Sequence, residues 1–165
     1  MPDIFTKTKR SEVMSLIRSR GNKDTEIVMA RLLRRHKISG WRRHLQIRVS
    51  SHVTRHTSRT LRPKQKFHIP HSAFPVLKVR PDFVFSKSRL AVFVDGCFWH
   101  GCPVHGTKPK GNRAFWKKKF ATNIARDRRV NRALRSAKWH LLRIWEHELK
   151  NEPRLVKRLK RSFEL

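Results

Sequence analysis

The chain reads as an α/β protein. Three observations carry that expectation. Helical and strand-like stretches follow one another in the order helix, helix, three strands, helix, strand, helix. One of the strand-like runs, Leu90 to Val94, is nearly all apolar, as suits a central strand covered on both faces. With 165 residues the chain has material for one modest core, so residues 1–165 are expected to form a single domain.

Taken in order, Ser11 can cap a short helix reaching about Ser19, with Val13, Met14 and Ile17 as its apolar stripe, and Gly21 and Asn22 break it. Asp24 or Thr25 is expected to cap a second helix, where Ile27, Ala30 and Leu33 recur at every third position and Val28 and Leu32 widen the stripe. Glu26 falls in its first turn, where the helix dipole favours a negative charge; spacing alone gives it no further role. Trp41 to Ile47 alternates, with Trp41, Arg43, Leu45 and Ile47 on one face, which predicts a strand. The next stretch is different in kind. Residues 48–80 hold eight Lys or Arg, four His, three Pro and no acid, and are read as an inserted, largely mobile basic arm that can touch phosphates.

Pro81 to Phe85 and Leu90 to Val94 are joined by a connection short enough to force an antiparallel hairpin, which brings Asp82 and Asp95 to one end of the sheet. Asn112 is expected to cap a long helix carrying Trp116, Phe120, Ile124, Val130, Leu134 and Ala137, with Lys and Arg over most of its other face. Leu141 to Trp145 predicts a further strand. Leu155, Val156, Leu159 and Phe163 mark a closing helix after Pro153.

Charge narrows the function classes. Against 11 Asp and Glu stand 41 Lys and Arg, a formal net charge of +30, so the natural partner is a polyanion and nucleic acid the first expectation. Charge alone does not separate an enzyme from an architectural protein. The longest apolar runs fall far short of the roughly 20 residues a membrane span needs, and the N-terminal stretch has no signal-peptide apolar region, so a soluble cytoplasmic protein with no membrane partner is expected. Two cysteines, Cys97 and Cys102, are too few for a secreted disulfide framework.

Reactive side chains concentrate between Leu90 and His105. Cys97, Cys102 and His105 have the spacing C-x4-C-x2-H, and His147 ends a later strand that can return to the same place. Four N and S donors suit tetrahedral zinc, and a site filled by protein donors would be structural. The alternative is a pair of buried thiols and a surface histidine. Asp82 precedes an apolar strand on a very basic protein, where a carboxylate and DNA phosphate oxygens can share Mg2+. If the hairpin closes at Lys87, Asp82 lies opposite Val92, Val94 shares its face and Asp95 points away, so the Val94 carbonyl or a bulge would complete the ion's shell. His100 is the natural proton handler of the loop, and Asp127 in the long helix can orient it or serve only as a helix ion pair. Phe98 and Trp99, in a loop flanked by Gly96 and Gly101, are placed to wedge between base pairs; Trp116 can join them or pack in the core.

Together RSEVMSLIRSRGN, RPDFVF, FVDGCFWHGCPVHG, FWKKKFATNIARDRR and LLRIWEHEL resemble the very short patch repair (Vsr) endonuclease family, from about Lys9 to Leu149 outside the arm. The resemblance implies a restriction-endonuclease-like core, with a central mixed sheet flanked by helices, a zinc-bound loop and here a long basic insertion. It implies a Mg2+-dependent nick in one strand of duplex DNA, 5′ to the T of a T·G mismatch made by deamination of 5-methylcytosine. Carried over position by position, Asp82 is the metal-binding carboxylate with the Val94 carbonyl as its partner, His100 is the general base, and Asp95 acts on the metal's waters. Glu26 then matches an acid near the site, against the helix-dipole reading. Cys97, Cys102, His105 and His147 would hold zinc. Phe98, Trp99 and Trp116 would intercalate beside the mismatch, and Lys119 and Asn123 are candidates to contact it. Repair-pathway proteins, a monomeric state and nucleoid association are implied in the same way. The basic arm and Val79 stand where the family has a short link ending in Gly. Two rival readings remain: a related nuclease without mismatch choice, which would cut paired duplexes equally, and a non-catalytic zinc DNA-binding protein, which would never cleave.

Overall fold

In the computed structural model, residues 6, 8, 9, 12, 22–50, 76–107, 109 and 111–164 are described. Most of the helix expected over 11–19 and the arm residues 51–75 lie outside them. The first described element is a π-helical turn, Lys23–Ile27, that runs straight into helix α1, Val28–Arg35. Its cap is Asn22, whose side-chain oxygen accepts from the Asp24 amide at 2.8 Å, and not Asp24 or Thr25. The wide turn explains the difference: the Ile27 amide reaches back five residues to the Asn22 carbonyl at 3.1 Å, so the helical path starts earlier than the apolar periodicity shows.

Four strands form a mixed sheet in the order β1 (Trp41–Arg43), β4 (Phe83–Phe85), β5 (Leu90–Asp95), β6 (His140–Trp145). The β1–β4 and β4–β5 pairs are antiparallel and β5–β6 is parallel. Parallel neighbours need a long crossover, and helix α2 (Arg113–Ser136) supplies it. Strands β2 (Ile47–Ser50) and β3 (Val76–Val79) pair antiparallel as a separate sheet, so the stretch read as an arm begins and ends in paired backbone. Helix α3 (Glu152–Arg161), capped by the Asn151 side chain with Pro153 in its first turn, follows β6.

Alternation along β5 divides the interior in two. Leu90, Val92 and Val94 face Leu142 and Ile144 of β6, Phe83 and Phe85 of β4, and the buried stripes of α1 and α3. Ala91 and Phe93 face the other way, with Val84, toward Leu134 and Val130 of α2 and toward Ile47, Val49 and Val79 of the small sheet. Fully covering a Leu or Phe contributes about 1.5–3 kcal/mol, so β5, covered on both sides, is the least replaceable strand.

Three local expectations are corrected. The strand expected over Trp41 to Ile47 is broken at His44, whose φ of +52° turns the chain off the sheet edge before it restarts as β2. Asn112 precedes α2 as expected but makes no side-chain cap; its φ is +48° and its carbonyl accepts from the Trp116 amide at 3.2 Å. The hairpin register is one residue off the expected one, with Phe83 opposite Val92. Its turn is the four residues Ser86 to Arg89, closed by the Arg89 amide on the Ser86 carbonyl at 3.3 Å, with Arg89 at φ +48°. A four-residue turn moves the closing point to between Lys87 and Ser88, and a slip of one flips every partner to the other face. Among the described residues no helix is long and apolar enough to cross a membrane.

Candidate active site and metal centre

The register decides what meets what beyond the hairpin. Continued one step, it sets Asp82 across from Phe93, so Asp82 and Asp95 share the α2 side of the sheet; the expectation that Asp95 points away is overturned. Val94 sends its side chain into the opposite core, while its amide donates to Asp82 Oδ2 at 2.7 Å. Burial pushes the Asp82 carboxyl up to about 6, with the nearby Glu26 and Asp95 charges adding to the rise; the Val94 hydrogen bond and the Arg143 charge hold it back. Such a carboxyl is largely ionised at neutral pH, but only against a standing repulsion that a cation would relieve.

Asp82, Asp95, His100, Asp127 and Glu26 line one open cleft of about 660 Å³. His100 Nδ1 lies 2.7 Å from Asp127 Oδ2 and 3.6 Å from Asp95 Oδ1. With Nδ1 donating to Asp127, Nε2 is left as the nitrogen able to accept a proton. Asp127 meets His100 and, in place of an arginine of its own helix, takes Arg143 of β6 at 3.0 Å. Burial alone would raise the Asp127 carboxyl, but the His100 hydrogen bond and the Arg143 charge outweigh it and hold it below the usual carboxylate range.

Arg143 went unread in the sequence. Its Nε and one terminal nitrogen grip the two oxygens of buried Asp95 at 2.6 and 2.7 Å, another reaches Asn131 at 3.0 Å, and its guanidinium lies over the Phe93 ring. Burial works against its charge, and the two carboxylates more than compensate, raising its affinity for the proton. The available signal was a lone cation inside the apolar run Leu141 to Trp145, which demands a buried partner. Glu26 is buried and takes Arg43 at 2.6 Å, with His44 Nε2 2.9 Å away. Arg43 and His44 were also missed, because the break in β1 that aims them has no mark in the alternation.

Beyond Gly96 the loop folds back on itself. The Cys102 amide donates to the Cys97 carbonyl at 3.0 Å and the Gly106 amide to the Cys102 carbonyl at 2.8 Å. A side chain at 106 would strike that same carbonyl, which requires glycine there, and Gly101 adopts φ +68°. The result gathers donor atoms of Cys97, Cys102, His105 and His147 within 4.8 Å of one another, with His147 Nδ1 3.2 Å from Cys97 Sγ and 3.6 Å from Cys102 Sγ. Burial raises the Cys97 thiol, and adjacent Cys102 adds to the rise. All four predicted ligands thus meet in one place.

Phe98 is the hub of an aromatic cluster, with ring centroids 5.0 Å from Trp99, 5.1 Å from Trp116 and 5.4 Å from Phe120. Trp116 is therefore neither isolated nor core but half-buried against the loop. Phe115, exposed beside it, was not singled out by the sequence. Asn123 donates to the Trp99 carbonyl at 2.9 Å, and Lys119 lines the cleft next to it.

Residues 75–105 match the family model described as DNA mismatch endonuclease Vsr. Across nearly its whole length the chain is similar to the type II nicking enzyme V.NmeAIP of Neisseria meningitidis serogroup A, 32% identical over 162 residues that cover 98% of this chain and 94% of that protein. The chain belongs to the Vsr endonuclease family. Other relatives match over shorter stretches. The type II nicking enzyme V.NaeI of Lentzea aerocolonigenes is 53% identical over 72 residues, 44% of this chain and 43% of that protein. The DNA mismatch endonuclease Vsr of Escherichia coli K12 is 38% identical over 78 residues, 47% of this chain and 50% of that protein. In these two the matched part spans about half of the relative's length or less.

Proposed function

We propose that the protein is a DNA endonuclease that nicks one strand 5′ to the T of a T·G mismatch arising from 5-methylcytosine deamination. The observation that carries this reading is the His100–Asp127 pair at 2.7 Å opening on the same cleft as Asp82. The relatives named as nicking enzymes and as a mismatch endonuclease support it. Residues 1–165 act as one endonuclease domain with a restriction-endonuclease-like core, monomeric and cytoplasmic on the nucleoid, and residues 48–80 as its basic insertion.

The site residues fit a divalent ion. Asp82 and Glu26 converge although the Glu26 charge raises the cost of ionising Asp82, an arrangement that a cation makes favourable. Asp82, with the Val94 carbonyl, would hold Mg2+, and bound Mg2+ supplies positive charge against the phosphate during cleavage. His100 Nε2 takes the proton of the attacking water. Asp127 holds the imidazole in the tautomer that can do so and stabilises its cation afterwards. Asp95, fixed by Arg143, stays close enough to order water in the cleft. Cys97, Cys102, His105 and His147 are a full N and S donor set for structural Zn2+, which would tie the loop to the end of β6 and so fix where His100 stands.

Mismatch choice falls to Phe98, Trp99 and Trp116. Opening a base step costs a few kcal/mol and least at a mispair, so a rigid aromatic wedge enters there first. Lys119 and Asn123 lie where they can touch the opened pair. The test is a labelled duplex incubated with zinc-loaded protein and Mg2+. Nicking of the T strand of T·G with T·A left intact is expected. Equal cutting of both would assign a nuclease without mismatch choice, and binding without any cutting would assign a DNA-binding protein.

A further inference from the structure

His44 has the least expected placement of any residue around the cleft. It is a non-glycine residue at φ +52°, a region histidine enters more readily than most residues but still at some cost, and its amide donates to the Asp82 carbonyl at 3.2 Å. That turn carries the ring inward. Its Nε2 is buried and completes no hydrogen bond among the described residues, although Glu26 Oε2 is 2.9 Å away, because the carboxylate oxygen lies off the line a donor needs. That contact is an ion pair only if the imidazole is protonated; neutral, the ring turns a lone pair toward a carboxylate oxygen, which costs free energy unless a cation is shared between them. Donor atoms of Glu26, His44 and Asp82 all lie within 4.8 Å of one another, and Arg43 keeps Glu26 pinned among them.

We infer that His44 Nε2 is a nitrogen ligand of the divalent ion at Asp82, completing a carboxylate–imidazole–carboxylate set with Glu26. The inference rests on the reading of Asp82 as a metal ligand and goes beyond it by changing the kind of ion the site favours. Mg2+ takes oxygen ligands in a strict octahedron and sheds water reluctantly. Imidazole adds little for Mg2+ but strengthens binding of first-row transition ions in the order of their affinity for nitrogen. A site with His44 in it therefore holds Mn2+ more tightly than Mg2+, and loses part of that preference with the imidazole.

The experiment uses the full-length, zinc-loaded protein and Mn2+ as probe. Binding is followed by electron paramagnetic resonance of the free ion, and ligation by the nitrogen hyperfine coupling of the bound ion. The parent should show a nitrogen coupling that survives in His100→Ala and vanishes in His44→Gln, with Mn2+ affinity falling about tenfold or more and Mg2+ affinity, read by competition, changing little. A parent without nitrogen coupling, or a coupling retained in His44→Gln, overturns the inference. The parent measurement needs no variant, so a misfolded variant cannot shield the idea. Asp82→Asn separates the two layers. If it abolishes Mn2+ binding while no nitrogen coupling is found, only the His44 assignment fails; if Mn2+ binding survives it, the reading of Asp82 fails as well.

Discussion

Two donor clusters stand at the same end of the main sheet and are built in opposite ways. One, Cys97, Cys102, His105 and His147, is soft, loop-borne and closed: four donors packed on one another and a backbone that folds back through Gly106. The other, Asp82 and Glu26 with His44 beside them, is mostly oxygen, held by the sheet edge and the turn before α1, and its two carboxylates line an open cleft. The first has the donors to fix a shape and the second has the donors and the access to act on a substrate. His100 lies on the loop between Cys97 and Cys102 and lines the same cleft as Asp82 and Glu26.

If that division is right, removing metal from the first should have the largest effect and act through stability. Chelation of zinc, or Cys102→Ser, is expected to cost several kcal/mol of unfolding free energy and to lower the melting temperature, with nicking lost in proportion to unfolding. Calorimetry with and without chelator measures it; an unchanged transition would mean that the thiols are only packed. The opposite signature is expected of His100. His100→Ala should reduce single-turnover nicking by about 10²–10⁴-fold with an unchanged melting temperature.

Arg143 belongs to neither cluster and holds Asp95 and Asp127 beside His100. Its removal leaves Asp95 and Asp127 without their buried cation, so Arg143→Met should cost about 3–5 kcal/mol in denaturant unfolding, and Arg143→Lys less. Asp82 gives the smallest effect and the one with a defined sign. Its carboxyl titrates near 6 in the folded protein and near the ordinary 3.8 when unfolded, so between those values the folded state holds the extra proton. Stability from this group is therefore full below about pH 4 and is lost as pH rises through about 6, roughly 2–3 kcal/mol in all. In divalent-free buffer Asp82→Asn should remove that loss, which paired unfolding curves at low and neutral pH would reveal. A parent that gains stability from Asp82 as pH rises would contradict it.

How far the sequence carried depended on whether a feature was local. Cys97, Cys102, His105 and His147 were legible because three of them lie within nine residues and donor chemistry names the fourth. The central place of β5 was legible from its apolar run, and the His100–Asp127 pairing was at least foreseen. The face of Asp95 was not, because it hangs on whether a turn has three residues or four, and Arg89 at φ +48° settles that without leaving a sequence mark. His44 and Arg143 were missed for a related reason: one is aimed by a left-handed backbone kink, the other by partners 48 and 16 residues away along the chain.

The central claim is that a carboxylate at the hairpin mouth and an imidazole on the following loop serve one reaction on DNA. Its most direct test places Asp82→Asn beside the parent on a labelled T·G duplex, with binding and strand scission read from the same samples. The account predicts binding equal to the parent's and no nick above background. Scission at the parent's rate would contradict it.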